Sequence, residues 1–185
     1  MLAAGFAVCG AAQDLPQGLS SQAGGVAAST SGNTMTITQA QQRGIAHWDS
    51  FNIGASNTVN VQQPGASSVL LNRVLGTNPD NVSNIAGTLN ANGHVYLINP
   101  AGVVFAPGAR VNVGGIVAST LDLAGGTIEQ RNQAFLRGGA LIFDKSHANF
   151  ARVDVAEGAV VQAGVGGSGL VALMSDSVSN SGTIS

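Results

Sequence analysis

Charge, aromatic rings and cysteine are all scarce in this chain. Only 9% of the residues are charged and the formal net charge is −2, so the concentrated basic face of a nucleic-acid binder is missing and neither DNA nor RNA is an expected partner. Lys145 is the single lysine and the arginines are scattered from Arg43 to Arg152, which leaves no polybasic stripe for an anionic membrane surface. Cys9 is the single cysteine, so this chain has neither an internal disulfide nor a cysteine-based zinc site, and its stability has to come from packing. No apolar run reaches the roughly twenty residues of a membrane-spanning helix.

Aromatic residues are 4% of the chain whereas glycine contributes 26 residues, with Asn, Ser and Thr abundant around them. That balance describes many short strands joined by tight turns rather than a helical bundle. A mean hydropathy of +0.25 and recurrent Val, Ile and Leu separate the chain from disordered sequences, which are also turn-rich but lack apolar residues. A mass of 18.4 kDa suits one domain with a buried core. Residues 1–17 are expected to be a signal-peptide remnant, because Met1 to Ala12 is apolar and small, although no positively charged segment precedes it. Residues 18–185 are expected to form the domain, which is read as continuing beyond the chain because Ser177 to Ser185 stops in mid-repeat.

From residue 33 onward, short apolar alternations recur between turn residues: Met35 to Thr38, Phe51 to Ile53, Val59 to Val61, Val69 to Leu71, Val95 to Ile98 and Val111 to Val113. Each predicts a strand of three to five residues. The sequence also repeats itself. Val82-Ser83-Asn84-Ile85-Ala86-Gly87-Thr88-Leu89 returns as Val178-Ser179-Asn180-Ser181-Gly182-Thr183-Ile184, and Ala106-Pro107-Gly108-Ala109-Arg110-Val111 as Ala156-Glu157-Gly158-Ala159-Val160-Val161. Aligning Gly87 with Gly108 and Gly158 with Gly182 gives steps of about one solenoid coil. The expected fold is therefore all-β: a right-handed parallel β-helix in which each rung stacks its Val, Ile and Leu on its neighbours. Gly18 to Ile45 is expected to cap its first edge. Leu121 to Arg152 breaks the rhythm and reads as an excursion from the solenoid, with a helical turn at Glu129 to Leu136 and a strand at Ala140 to Phe143.

Three segments carry a specific resemblance. They are Trp48-Asp49-Ser50-Phe51-Asn52-Ile53-Gly54, Leu71-Asn72-Arg73-Val74, and the run Gly87-Thr88-Leu89-Asn90-Ala91-Asn92-Gly93-His94-Val95-Tyr96-Leu97-Ile98-Asn99-Pro100-Ala101-Gly102-Val103. In order and spacing they resemble the haemagglutination-activity domain of two-partner secretion exoproteins of the filamentous haemagglutinin type. Val117 to Leu123 and Gly169 to Gly182 extend the likeness to nearly everything after Gly18. The resemblance implies a non-catalytic secretion domain without a cofactor. Its implied partner is an outer-membrane β-barrel transporter with periplasmic receptor domains. The implied location is the surface or surroundings of a Gram-negative bacterium, reached through the periplasm. Host-cell or glycan ligands would belong to the downstream chain of an adhesin, cytolysin or contact-dependent toxin. In that family an Asn-Pro-Asn-Gly-Ile motif matters for secretion, and it is similar to Asn99, Pro100, Ala101, Gly102 and Val103 here. Alanine at the third position removes a side-chain hydrogen bond but leaves Pro100 to set φ and Gly102 to permit the turn. The family's Asn-Pro-Asn-Leu motif has no matching counterpart, since Asn78-Pro79-Asp80-Asn81 precedes the other motif and lacks the leucine.

Each of these residues also has a plainer reading. Asn99 to Gly102 as a tight folding turn predicts the same loss of export as a recognition signal does. Trp48 beside Phe51 is expected to pack in the core near the cap. His47, His94 and His147 lack metal-ligand spacing and are expected at the surface or in turns. Gly164 to Gly169 satisfies a dinucleotide glycine pattern, but with no strand–helix context it is read as a loop. A carbohydrate-active enzyme would need clustered carboxylates, whereas the acidic residues are dispersed; Asp144, Lys145 and His147 form the one acid, base and histidine grouping and read as a solvated loop. A glycan-binding module is the alternative to a secretion domain.

Overall fold

The structure, a computed structural model, describes residues 14–76, 78–145, 151–165 and 169–185. Strands β1 (Ser20–Ala23) and β2 (Ala27–Ser31) open the fold, followed by β3 (Thr34–Thr38), β4 (Arg43–Trp48), β5 (Thr58–Gln62) and β6 (Val69–Val74). Then come β7 (Ser83–Ile85), β8 (Thr88–Ala91), β9 (His94–Ile98), β10 (Val103–Phe105), β11 (Arg110–Val113) and β12 (Gly115–Ser119). A detour follows through β13 (Asp122–Leu123), helix α1 (Ile128–Arg137) and β14 (Phe143–Lys145), before β15 (Arg152–Val155), β16 (Val160–Ala163), β17 (Val171–Met174), β18 (Ser177–Asn180) and β19 (Thr183–Ile184).

These strands form the three faces of a parallel β-helix, and the chain visits the faces in turn. One face runs β2-β3-β5-β8-β11-β16-β19, the second β1-β4-β6-β9-β12-β17, and the third β7-β10-β15-β18. Every pairing along these faces is parallel except at the start, where β2 lies antiparallel to β3 and β1 antiparallel to β4. Those two strands are the cap. It is narrower than Gly18 to Ile45, because β3 and β4 already pair in parallel with β5 and β6 and belong to the first rung. Ahead of Gly18, Asp14 to Gln17 are bound into the same fold: Leu15 is buried, Gly54 N–H donates to the Asp14 carbonyl at 2.7 Å, and Gln17 bridges to Ser50. Cys9 and the rest of the expected signal remnant up to residue 13 lie outside the described residues, as do His147 and residues 166–168 of the glycine-rich loop.

Register explains the composition. Met35, Val59, Leu89, Val111, Val161 and Ile184 occupy one position on six successive strands of the first face. On the second face Leu70, Val95, Ile116 and Val171 do the same, and on the third Ile85, Phe105 and Val155. Each inward apolar side chain thus rests on another apolar one, and Phe105 takes its place in such a stack. Trp48 lies where the sequence places it. It is 1% exposed, edge-on to Phe51 with ring centroids 5.5 Å apart, and its indole N–H donates to Asn72 Oδ1 at 3.0 Å. Phe51 to Ile53 is not a full strand; only Ile53 makes a bridge, to Ile85.

The glycine alignment is off by one residue. Thr88 pairs with Arg110 and Val160 with Thr183, so Gly87, Ala109, Ala159 and Gly182 share a position. The sequence echo superposes two kinds of glycine. Gly108 and Gly158 make the turn, with φ of +90° and +82°, whereas a Cβ on Gly87 would meet the Gly54 carbonyl oxygen at 2.2 Å. Replacing Gly87 with alanine is therefore expected to cost roughly 1–3 kcal/mol as overpacking, while Ala109→Gly costs about 1 kcal/mol or less. Urea denaturation of the two variants checks the register; a neutral Gly87→Ala would contradict it.

Candidate functional site

The Asn99 to Val103 segment turns the chain from the second face to the third. Asn99 is 2% exposed, and its side chain is fully engaged within the protein. Oδ1 accepts from Ala101 N–H at 2.9 Å, while Nδ2 donates to the Asn81 carbonyl at 2.8 Å and to Ser83 Oγ at 2.9 Å. The Asn99 carbonyl closes the turn by accepting from Gly102 N–H at 3.0 Å. Pro100 fixes its own φ, and Gly102 adopts φ +129°, a conformation that favours glycine. The turn forms with alanine in its third position. Val103 then points inward, fully buried, in register with Ser83 and Val153.

One rung earlier the same device appears. Asn78 Oδ1 accepts from Asp80 N–H at 3.0 Å and the Asn78 carbonyl from Asn81 N–H at 3.1 Å. Asn78-Pro79-Asp80-Asn81, which the missing leucine sets aside as a motif, is therefore a second Asn-Pro turn stacked beneath the first. Asn81 Nδ2 donates onward to the Asp49 carbonyl at 2.7 Å. Three successive corners of the solenoid are thereby tied together through asparagine amides. Of this stack Asn78, Pro79 and Asp80 are exposed, while Pro100 and Ala101 are half-buried.

A second constellation lies under the excursion. The helix follows a capping box, with Gln130 N–H donating to Thr127 Oγ1 and Gln130 Oε1 accepting from Thr127 N–H, so it starts earlier and runs longer than the helical turn expected at Glu129 to Leu136. The strand that follows is Phe143–Lys145, paired with β13, rather than Ala140 to Phe143. Helix and hairpin cover the outer side of the second face, where Ile45, Leu71 and Ile98 pack against Leu123 and Phe135 in a core separate from the solenoid interior. Arg43 closes the far end by donating to the Phe135 carbonyl at 3.0 Å.

Buried at this junction is a charge cluster that the sequence does not announce. Arg73, 2% exposed, donates Nε and Nη2 to Asp122 Oδ1 at 3.1 and 2.9 Å and Nη1 to Asn132 Oδ1 at 2.7 Å. Arg131 Nε lies 3.3 Å from the other Asp122 oxygen. His47 is not at the surface: it is 5% exposed, with Nε2 3.0 Å from Arg73 Nη1, a contact that requires a neutral ring accepting at Nε2. Burial, and then the Arg73 charge, push the His47 pKa down from 6.5 to about 4, against weaker opposition from Asp122 and Glu129. His94, by contrast, is half-buried on β9. Among the described residues no group of three or more His, Cys, Asp or Glu is placed to hold a metal ion. Asp122 is a lone carboxylate flanked by arginines, an arrangement suited to clamping the excursion onto the solenoid rather than to acid–base chemistry.

These features define a capped parallel β-helix. The chain matches the TPS, or two-partner secretion, domain over residues 12–185 and belongs to that family. Its relatives include the heme/hemopexin-binding protein of Haemophilus influenzae strain Rd, 49% identical over 112 residues that make up 60% of this chain and 12% of that protein. A second Haemophilus influenzae heme/hemopexin-binding protein is 45% identical over 94 residues, 51% of this chain and 10% of that protein. The chain thus spans a small fraction of these relatives' length. Among solved structures, the HMW1 secretion domain from Haemophilus influenzae superposes with a TM-score of 0.72 at 27% identity, covering 91% of this chain and 41% of that one. The neighbour shares the β-helix fold. Neither the family nor this neighbour is an enzymatic domain. Proteins carrying the domain leave a Gram-negative cell through the periplasm for its surface or surroundings.

The cluster yields two expectations. Asp122→Asn leaves Arg73 and Arg131 buried without a counter-charge and should cost about 3–5 kcal/mol with loss of α1 helicity; a change below about 1 kcal/mol would show that the ion pair holds nothing. His47 has a folded pKa below its unfolded one, so its contribution is fully present above pH 6.5 and is lost as the pH falls towards about 4. Urea midpoints measured across that window should decline on the acid side, and His47→Gln, which keeps an acceptor for Arg73, should flatten the decline.

Proposed function

We propose that this domain directs export of a much longer exoprotein through a cognate outer-membrane β-barrel transporter with periplasmic receptor domains, and that its solenoid then nucleates folding of the chain that follows. The membership of the TPS family over residues 12–185 carries the first part. The parallel, in-register pairing of successive rungs supports the second, because each rung offers the next a ladder and an inward stack to form on, as β8 does for β11 and β7 for β10.

Within this reading Asn99, Pro100, Ala101, Gly102 and Val103 act by fixing a corner of the fold. Asn99 spends its side-chain hydrogen bonds inside the protein, so a receptor meeting the folded domain would find Pro100 and Ala101 rather than the asparagine. The relatives are named for binding heme and hemopexin; an effector activity of that kind, or of an adhesin or toxin, is assigned to the remainder of the exoprotein. A carbohydrate-active reading finds no support at the buried Asp122, which among the described residues faces Arg73 and Arg131 rather than the second carboxylate that hydrolysis uses.

Export from a Gram-negative host, with and without the cognate transporter, tests the proposal. Appearance of the domain in the medium only when the transporter is present is the expected result. Equal export in both strains would leave a β-helix with no role in two-partner secretion.

A further inference from the structure

The outward side of the first face carries a row of carboxamides. Asn60, Asn90 and Asn112 share one register position on β5, β8 and β11. Asn112 Nδ2 donates to Asn90 Oδ1 at 3.1 Å, and Asn90 Nδ2 donates to Asn60 Oδ1 at 2.9 Å. The three amides therefore run head to tail along the solenoid axis. Since each carboxamide has two N–H groups and two lone pairs, every rung keeps a donor and an acceptor for solvent, repeated at the rung spacing of about 4.8 Å.

This row forms the floor of a cavity of about 450 Å³, bounded also by Gln62, Gln63 and the half-exposed Val165. That volume falls in the range of roughly 300–1,000 Å³ that holds small ligands. Gln63, 8% exposed, spends its Nε2 on the Gln39 side chain and the His94 carbonyl, so the hydrogen-bonding capacity open to solvent is that of the Asn60, Asn90 and Asn112 amides.

Its chemistry selects a ligand class. Among the described residues no charged side chain lines the cavity, so an anionic or cationic ligand would lose hydration without gaining a counter-charge. A ligand that both donates and accepts at regular intervals, and that has an apolar edge for Val165, fits the row. We infer that this face binds a neutral, linear oligosaccharide along the solenoid axis, with Asn60, Asn90 and Asn112 contacting successive hydroxyl groups. The backbone N–H and C=O groups of these strands are already paired with neighbouring rungs, so an extended peptide would find no ladder to join. Without an aromatic ring to stack on a sugar face, affinity is modest, with a Kd approaching the millimolar range.

The test is NMR titration of the labelled domain with neutral, sulfated and sialylated linear oligosaccharides at millimolar concentration, where weak binding is read directly. Binding confined to neutral linear oligosaccharides, with shifts in the Asn60, Asn90 and Asn112 side-chain amide signals, is expected. Asn112 is the last donor of the hydrogen-bonded row, with Gln162 next in register, so Asn112→Ala leaves the Asn60–Asn90 bond intact; it should stay folded, losing about 1 kcal/mol of stability or less, and weaken binding at least about fivefold, close to 1 kcal/mol. No binding of any neutral oligosaccharide, preference for sulfated or sialylated glycans, or undiminished binding by a folded Asn112→Ala would each overturn the inference. Export through the transporter is unaffected by all of these outcomes.

Discussion

Parallel, in-register pairing between rungs is the constraint on which the rest of this structure depends. A single rung buries too little to hold itself together, and its backbone groups find partners only on the rungs above and below. Once register is fixed, each inward position must repeat its size and polarity: Met35, Val59, Leu89, Val111, Val161 and Ile184 form one line of such positions. The same repetition acts outside, where it lines up Asn60, Asn90 and Asn112, and at the corners, where Asn99 hangs from Asn81 and Asn81 from Asp49. It also creates two ends. The first is closed by antiparallel strands β1 and β2, and the other presents β17, β18 and β19.

The two buried polar systems answer the same requirement differently. The asparagine corners are neutral, and each is satisfied by backbone and side-chain partners within a few residues of the turn or one rung away. The junction with the excursion is ionic: Arg73 and Arg131 converge on Asp122, and His47 stays neutral against Arg73. An ion cluster of this sort is a poor source of net stability but a strict condition on geometry, since removing one partner strands the others in a dry site. It holds the helix and hairpin over Ile45, Leu71 and Ile98, apolar residues on what would otherwise be an exposed side of the sheet.

Much of this was legible in the sequence because solenoid interactions echo along the chain. Alternating short strands, the Val82 to Leu89 repeat and the Ala-x-Gly-Ala echo gave the architecture; the family resemblance gave the Asn99 turn. Register was harder, because turn glycines and space-limited glycines look alike as letters and only the hydrogen-bond ladder tells Gly108 from Ala109. The start of the helix is marked in the sequence by Thr127 with Gln130 as a capping box. The charge cluster carried none: Arg73 and Asp122 are 49 residues apart, they meet only because the chain leaves the solenoid and returns, and nothing local marks His47 as buried.

The role proposed for the Asn99 turn in export is to let the solenoid close rather than to display its asparagine. Refolding of Asn99→Ala, measured together with binding of the unfolded chain to the transporter's purified periplasmic domains, tests this most directly. Slower refolding and lower stability with unchanged binding is the predicted result. Unchanged stability with binding abolished would contradict the account and make the turn a recognition signal.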